Sequence, residues 1–179
     1  VENDYSDLVR MLREKLRIPI AVKLSHFFSA ITNFARLLDT SGANALVLFN
    51  RFYQPDIDIE QLDVVPSLTL SHPSELLLRL HWVAVLFGRT RSDMAITGGI
   101  HRAEDVLKSV MAGARVAMMT SALLQNGVGY LDTVRSGIIR WMEEHEYESI
   151  HQMCGSMSQR NVPDPAAYER ANYMRVLSS

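Results

Sequence analysis

Cysteine is nearly absent. The chain has 179 residues and a single cysteine, Cys154. One thiol excludes an intramolecular disulfide framework and a cysteine-rich metal site, and it fits a reducing compartment, so a cytoplasmic location is expected. A small buried or half-buried thiol is the ordinary role for such a residue. No apolar run approaches the roughly 20 residues that span a bilayer, so no membrane segment is expected. Neither charge sign dominates. The 18 Lys+Arg stand against 20 Asp+Glu, a net charge of −2, which gives no electrostatic case for nucleic acid or an anionic membrane. Nucleotide and protease signatures are missing too: there is no GxSxG, HExxH, P-loop or GxGxxG. The histidines, His26, His72, His81, His101, His145 and His151, show no metal-ligand spacing. The chain starts at Val1 without an initiator Met or a signal-peptide pattern, so a segment upstream is expected. Lysine is scarce as well, with Lys15, Lys23 and Lys108 against 15 arginines.

What is present is an ordinary globular composition, 47% hydrophobic and 21% charged. A chain of this length builds one core and buries roughly 70% of its extended surface. The most organised stretch is AITGGIHRAEDVLKSVMAGARVAMMTSALL at 95–124. It reads as strand, glycine turn, helix, strand, polar turn. Val106, Leu107, Val110 and Met111 give the helix an apolar face, and Gly113 stands where its C-cap needs positive φ. Two parallel strands thereby end in small polar turns, Thr97-Gly98-Gly99 and Thr120-Ser121. Backbone N–H groups at such turns, with a helix dipole behind them, can hold a phosphate, as (β/α)8 barrels do after their last strands. The plainer reading, a βαβ unit whose glycines only serve tight turns, stays open on these residues.

The rest of the chain has the same βα rhythm. A helix over 4–16 carries Leu8, Val9, Leu12 and Leu16 on one stripe. A strand over 18–25 follows, with Ile18, Ile20, Val22 and Leu24 on one face and Ala21, Lys23 and Ser25 on the other. In a barrel the branched face meets the outer helices and Lys23 points inward, unless the strand is an edge from which the lysine snorkels. A helix over 31–38 and a strand over 45–49 ending at Asn50 come next. Residues 51–72 form an insertion read as a small two-stranded excursion. A helix over 73–88 begins with Pro73, Ser74 and Glu75. After the central stretch, a long helix is predicted over 127–146, one helical turn over 149–154 and a terminal helix over 166–177. Glu143-Glu144 reads as a solvated pair on a helix face, and His101 as a surface histidine near a helix start that could reach a ligand. Lys23, Asn50, Thr97-Gly98-Gly99 and Thr120-Ser121 then share one location, the C-terminal ends of consecutive strands, which carries the active site in barrels.

Several of these segments, in order and with compatible spacing, resemble the C-terminal half of the dihydroorotate dehydrogenase family. They are AVKLS at 21–25, LFN at 48–50, TGGI at 97–100 with the ED and AGA of its helix, and the SALL turn at 121–124. The tail from Trp141 through YESI at 147–150 to Gly155 is similar to that family's closing segment, and the match covers roughly 18–156. The longer tail, GSMSQRN at 155–161 and ANYM at 171–174, resembles a bacterial dihydroorotate dehydrogenase-like branch.

The resemblance implies an α/β protein supplying the C-terminal four βα units of a (β/α)8 TIM barrel. Residues 1–158 would form the half-barrel, with 51–72 inserted, and 159–179 a helical extension. It implies FMN as cofactor, a dihydropyrimidine as substrate, and oxidation of dihydroorotate or a relative to orotate by hydride transfer in pyrimidine biosynthesis. Lys23 would stand by the flavin pyrimidine edge, where a fixed ammonium stabilises the charge of the reduced ring. Asn50 would bind substrate and cofactor, while Ser71, Gly98, Gly99, Thr120 and Ser121 would hold the cofactor. No metal is implied. The family's catalytic base would lie upstream of Val1, so partnership with a missing N-terminal half-barrel or a second copy is expected. Three departures stand against the pattern: Ser71-His72 replaces a glycine-containing turn, His26 replaces a proline, and Met119 to Ser121 replaces a turn that often has Gly-Thr. Two other readings fit the same rhythm: a different flavin or phosphate barrel resembling the dihydrouridine synthases, and a non-catalytic half-barrel module.

Overall fold

The computed structural model describes residues 1–169 and 177. Among these, six strands form: β1 (Ala21–Leu24), β2 (Ala45–Leu48), β3 (Asp56–Asp58), β4 (Asp63–Val65), β5 (Asp93–Thr97) and β6 (Val116–Met118). Four of them make a parallel sheet in the order β1-β2-β5-β6, and β3 and β4 make a separate antiparallel pair. Each parallel strand lies beside the next one in the chain. A barrel sheet keeps this sequential order throughout, so the order is compatible with a barrel segment. Among the described residues the sheet is open, because β1 and β6 each have one neighbour.

The helices are α1 (Glu2–Lys15), α2 (Ile31–Thr40), α3 (Leu76–Leu86), α4 (Ala103–Ala112), α5 (Ser121–Asn126), α6 (Tyr130–Glu144) and α7 (Ile150–Met153). Contacts run α1 to α2, α2 to α3, α3 to α4 and α4 to α6, a single layer laid in chain order.

Register decides which side chains meet that layer. Lys23 pairs with Val47, Val47 with Ala95 and Ala95 with Val116, so these four share one face. Leu24, Leu48 and Ile96 share the other, joined by Leu46 and Met94, and pack with Phe34, Leu38, Val83 and Leu86 as the core. Each such buried side chain stabilises the fold by about 1.5–3 kcal/mol relative to exposure. The Lys23 face is barer: Ala21 and Lys23 are exposed, and Val116 and Met118 are 48% and 39% exposed. A satellite cluster of Leu107, Val110 and Met153 with Ile138, Trp141 and Met142 fixes α6 and α7 against α4.

The C-terminal segment closes the underside of α3 and α4. Gly155 and Met157 N–H groups donate to the Val110 and Met111 carbonyls, and Gln159 N–H donates to the Ala84 carbonyl at 3.0 Å. Most of the terminal helix expected over 166–177 lies outside the described residues; its first part is a 3-10 turn, Pro165–Tyr168.

Three expectations are corrected. The α1 stripe is buried only in part. Of its four residues Val9 alone is buried, beside Ser6, while Leu8, Leu12 and Leu16 stay exposed, because the Tyr5 ring meets Phe28 and Phe34 edge-on and turns the helix by that face. The long helix starts only at Tyr130, since Gly127 at φ +80° ends α5 and breaks the path. The segment over 73–88 opens as a 3-10 turn, Pro73–Glu75. His72 caps it, accepting from Ser74 N–H, while Glu75 reaches back to His72 N–H.

Candidate functional site

A cavity of about 260 Å³ lies across the C-terminal ends of β1, β5 and β6. Lys23, Ser71, Gly98, Gly99, Thr120 and Ser121 all line it. Thus six of the seven residues singled out in the sequence share one cavity. Asn50 is not among its walls; it is exposed, and its N–H donates to the Leu24 carbonyl at 2.6 Å, tying the turn after β2 to the end of β1. The volume is slightly under the roughly 300–1,000 Å³ of ordinary ligand pockets.

Three turns are knitted together here. Ser71 N–H donates to Ser121 Oγ at 2.9 Å, and Ser71 Oγ is hydrogen-bonded to His101 Nε2 at 3.2 Å. Ser71 and Ser121 are 8% and 9% exposed. Because Ser121 Oγ accepts from Ser71, its own proton stays available to a ligand. The α4 N-terminus is engaged otherwise than expected: Asp105 Oδ2 accepts from the His101 and Arg102 N–H groups at 2.9 and 3.0 Å. Those amides, and the dipole behind them, already have a carboxylate. The anion site cannot rest on them.

The glycines also have a reason inside the protein. A Cβ on Gly99 would run into the Leu76 backbone nitrogen and lie 2.9 Å from Leu76 Cα, so α3 itself demands glycine there. A Cβ on Gly98 would stand 2.8 Å from Arg79 Nη2. Glycine at this turn is therefore not in itself a sign of phosphate.

The electrostatics are more telling. The walls hold three cations, Lys23, Arg51 and Arg79, and no carboxylate. Glu75 lies just behind, with Oε1 3.4 Å from Arg51 Nη2 and Oε2 3.7 Å from Arg79 Nη2. Arg51 also donates to the Thr69 carbonyl. One carboxylate against two guanidinium groups and an ammonium leaves a positive basin suited to an anion. Lys23 contributes from an exposed position on the open sheet face, not from the buried one expected of an inward barrel lysine, and among the described residues β1 has β2 as its one strand neighbour.

Arg79 was not singled out in the sequence. It is 6% exposed and lies in the middle of the apolar run LLLRLHWVAVL. Burial pushes its guanidinium below the usual arginine range; Glu75 opposes that shift and Arg51 adds to it. The signal was the same as for Lys23, a lone cation inside an apolar element. Among the described residues no cluster of His, Cys, Asp and Glu can hold a metal ion, and no helix is long and apolar enough to cross a membrane.

No family model matches the chain. It is 28% identical over 152 residues to the catalytic subunit of dihydroorotate dehydrogenase B (NAD(+)) of Thermoplasma volcanium, covering 83% of this chain and 50% of that protein. The Thermoplasma acidophilum protein of the same name is 29% identical over 154 residues, again 83% and 50%. That of Thermodesulfovibrio yellowstonii is 26% identical over 156 residues, 86% and 51%. The chain is thus a relative of the dihydroorotate dehydrogenases over most of its length, and it spans about half the length of the curated relatives it matches.

Proposed function

We propose that the cavity is the phosphate-proximal part of an FMN site, and that the protein carrying it oxidises dihydroorotate or a related dihydropyrimidine. The observation that carries this reading is the wall of three cations and no carboxylate at the ends of consecutive parallel strands. Its support is the similarity to dihydroorotate dehydrogenases, which are oxidoreductases by name. FMN bound there would supply a two-electron acceptor. The donor set fits it: hydroxyls of Ser71, Thr120 and Ser121 and the backbone of Gly98 and Gly99 for a phosphate, cations for negative charge.

In this reading the strand order is that of the last four units of a (β/α)8 barrel, 1–158, with 51–72 inserted and 159–179 as an extension. The remaining units, and the base that takes the substrate proton, belong to the half that the relatives have in addition. Lys23 fixes a positive charge where charge develops during reduction, and so lowers that barrier. Asn50, at the rim and outside the cavity wall, is left to orient the pyrimidine. The position of Asn50 favours a second reading, a non-catalytic half-barrel module.

The deciding experiment uses the intact protein. Purified material should carry a flavin absorption band, and Lys23→Ala should slow flavin reduction by substrate at least about tenfold, or 1.4 kcal/mol. Because Lys23 is exposed, the fold should lose less than about 0.5 kcal/mol. A colourless protein that gains no flavin on incubation supports the module instead.

A further inference from the structure

We propose that Arg79 is the buried cation of the anion subsite beneath the Thr97-Gly98-Gly99 turn, and that Glu75 is the counter-charge that sets how strongly a bound phosphate feels it. This extends the flavin reading to a helix residue away from the strand ends and rests on that reading for the identity of the phosphate.

The geometry carries the inference. Arg79 reaches from α3 to the end of β5, where its Nε donates to the Thr97 carbonyl at 2.5 Å, and its Nη1 donates to the Glu75 carbonyl at 2.5 Å. Those two bonds lock the plane of the guanidinium. Nη2 is left against Gly98, 2.8 Å from where a Cβ would stand, with only a 3.7 Å pairing to Glu75 Oε2. Glu75 is itself divided, because its Oε1 accepts His72 N–H at 3.0 Å and stands 3.4 Å from Arg51 Nη2. A nearly buried guanidinium with a fractional counter-charge is expensive unless a further anion completes it. The cavity beside it offers no carboxylate for that purpose. A phosphate monoester meets the need, and the fixed planar fork of an arginine suits it better than a mobile ammonium.

A rival account makes Arg79 only a strut between α3 and β5. The two accounts differ in what they predict for ligands with and without a phosphate. FMN and riboflavin share a ring system and differ in the phosphate, so their dissociation constants are measured by flavin fluorescence for the protein and for Arg79→Met, Arg79→Lys and Glu75→Gln. Arg79→Met should weaken FMN at least about tenfold, the loss of a charge-assisted hydrogen bond, and leave riboflavin within about twofold. Arg79→Lys should recover part of that loss. Glu75→Gln keeps the cap on His72 but removes the counter-charge, and should tighten FMN about threefold or more without moving riboflavin. Because Glu75 also stands 3.4 Å from Arg51 Nη2, the gain in Glu75→Gln belongs to Arg79 only if it shrinks in the Glu75→Gln, Arg79→Lys double variant, which keeps a cation in place even if Arg79→Met fails to fold; an equal gain in that double variant overturns the proposal. Equal losses of both flavins in Arg79→Met, or unchanged or weaker FMN binding in Glu75→Gln, overturn the proposal. If the protein binds neither flavin, the flavin reading fails, and inorganic phosphate tests Arg79 alone. A melting temperature raised by phosphate in the protein, less in Arg79→Lys and not in Arg79→Met supports the anion role, and no rise in the protein, or an equal rise in Arg79→Met, overturns it.

Discussion

Gly99 passes so close to the start of α3 that a Cβ on it would lie 2.9 Å from Leu76 Cα and 3.0 Å from the Glu75 carbonyl carbon. Its φ of +81° is strained for any other residue, but that strain is not the whole constraint. Gly127 has nearly the same φ, +80°, and a Cβ there meets nothing within 4 Å. The pair separates backbone strain from packing. Gly127→Ala should cost about 1 kcal/mol and Gly99→Ala about 2–4 kcal/mol, as measured by chemical denaturation. Equal costs would show that α3 can retreat from the turn.

Phe87 is a wedge shared by two glycines. A Cβ on Gly155 would run into its ring, and one on Gly113 would lie 2.8 Å from its Cγ. Gly113→Ala and Gly155→Ala should each push the same ring aside, so the double variant should lose at least about 1 kcal/mol less than the sum. In a Phe87→Ala background each substitution should fall back to roughly the 1 kcal/mol of φ strain. Strict additivity would mean that the ring yields without cost.

These contacts mark where the sequence stopped being informative. Period and turn chemistry are local, so the β1, β2, β5 and β6 segments, the Thr97-Gly98-Gly99 turn and the Gly113 cap could be read directly. Strand parity even gave Lys23 its face. Whether that face is covered depends on strands that parity does not describe, and Lys23 lies exposed. The α1 stripe held only at Val9 for the same reason: periodicity gives an apolar face, and only Tyr5 against Phe28 and Phe34 says which part of it is used. Arg79 reaches a carbonyl 18 residues away, across a helix and a strand, a contact no local pattern encodes. Asp105 likewise occupies amides that the dipole argument had left open to a ligand.

His81 should make the protein acid-sensitive. It lies on α3 between Trp82 and Tyr168, and burial lowers its pKa from the ordinary value of about 6.5. The unfolded chain then takes up the proton first, so stability is fully present above about pH 6.5 and declines as pH falls toward the lower folded value. His81→Gln removes that group and leaves the other five histidines in place. The melting temperature should fall less between pH 7.5 and 5.5 in the variant than in the parent. Parallel curves would show that His81 is hydrated in both states.

The open sheet should drive association. β1 and β6 each have one strand neighbour among the described residues, and beside the β6 edge Val116 and Met118 expose apolar surface on the Lys23 face. An unpaired strand edge flanked by apolar side chains is a template for another chain, and a barrel removes the problem only by closing. Residues 1–179 expressed alone should therefore sediment as dimers or larger species, or precipitate, and should not oxidise dihydroorotate even with FMN added. Lysine is the residue that natural edges use as a blocker, so Val116→Lys should shift the distribution toward monomer. Ile57→Lys, on the exposed β3 strand outside the sheet, should leave it unchanged. The two variants alter charge equally, so a shift confined to Val116→Lys assigns association to the sheet edge. A monomeric parent would show that the edge is protected, and a catalytically active one would show that the described half-site suffices for the chemistry.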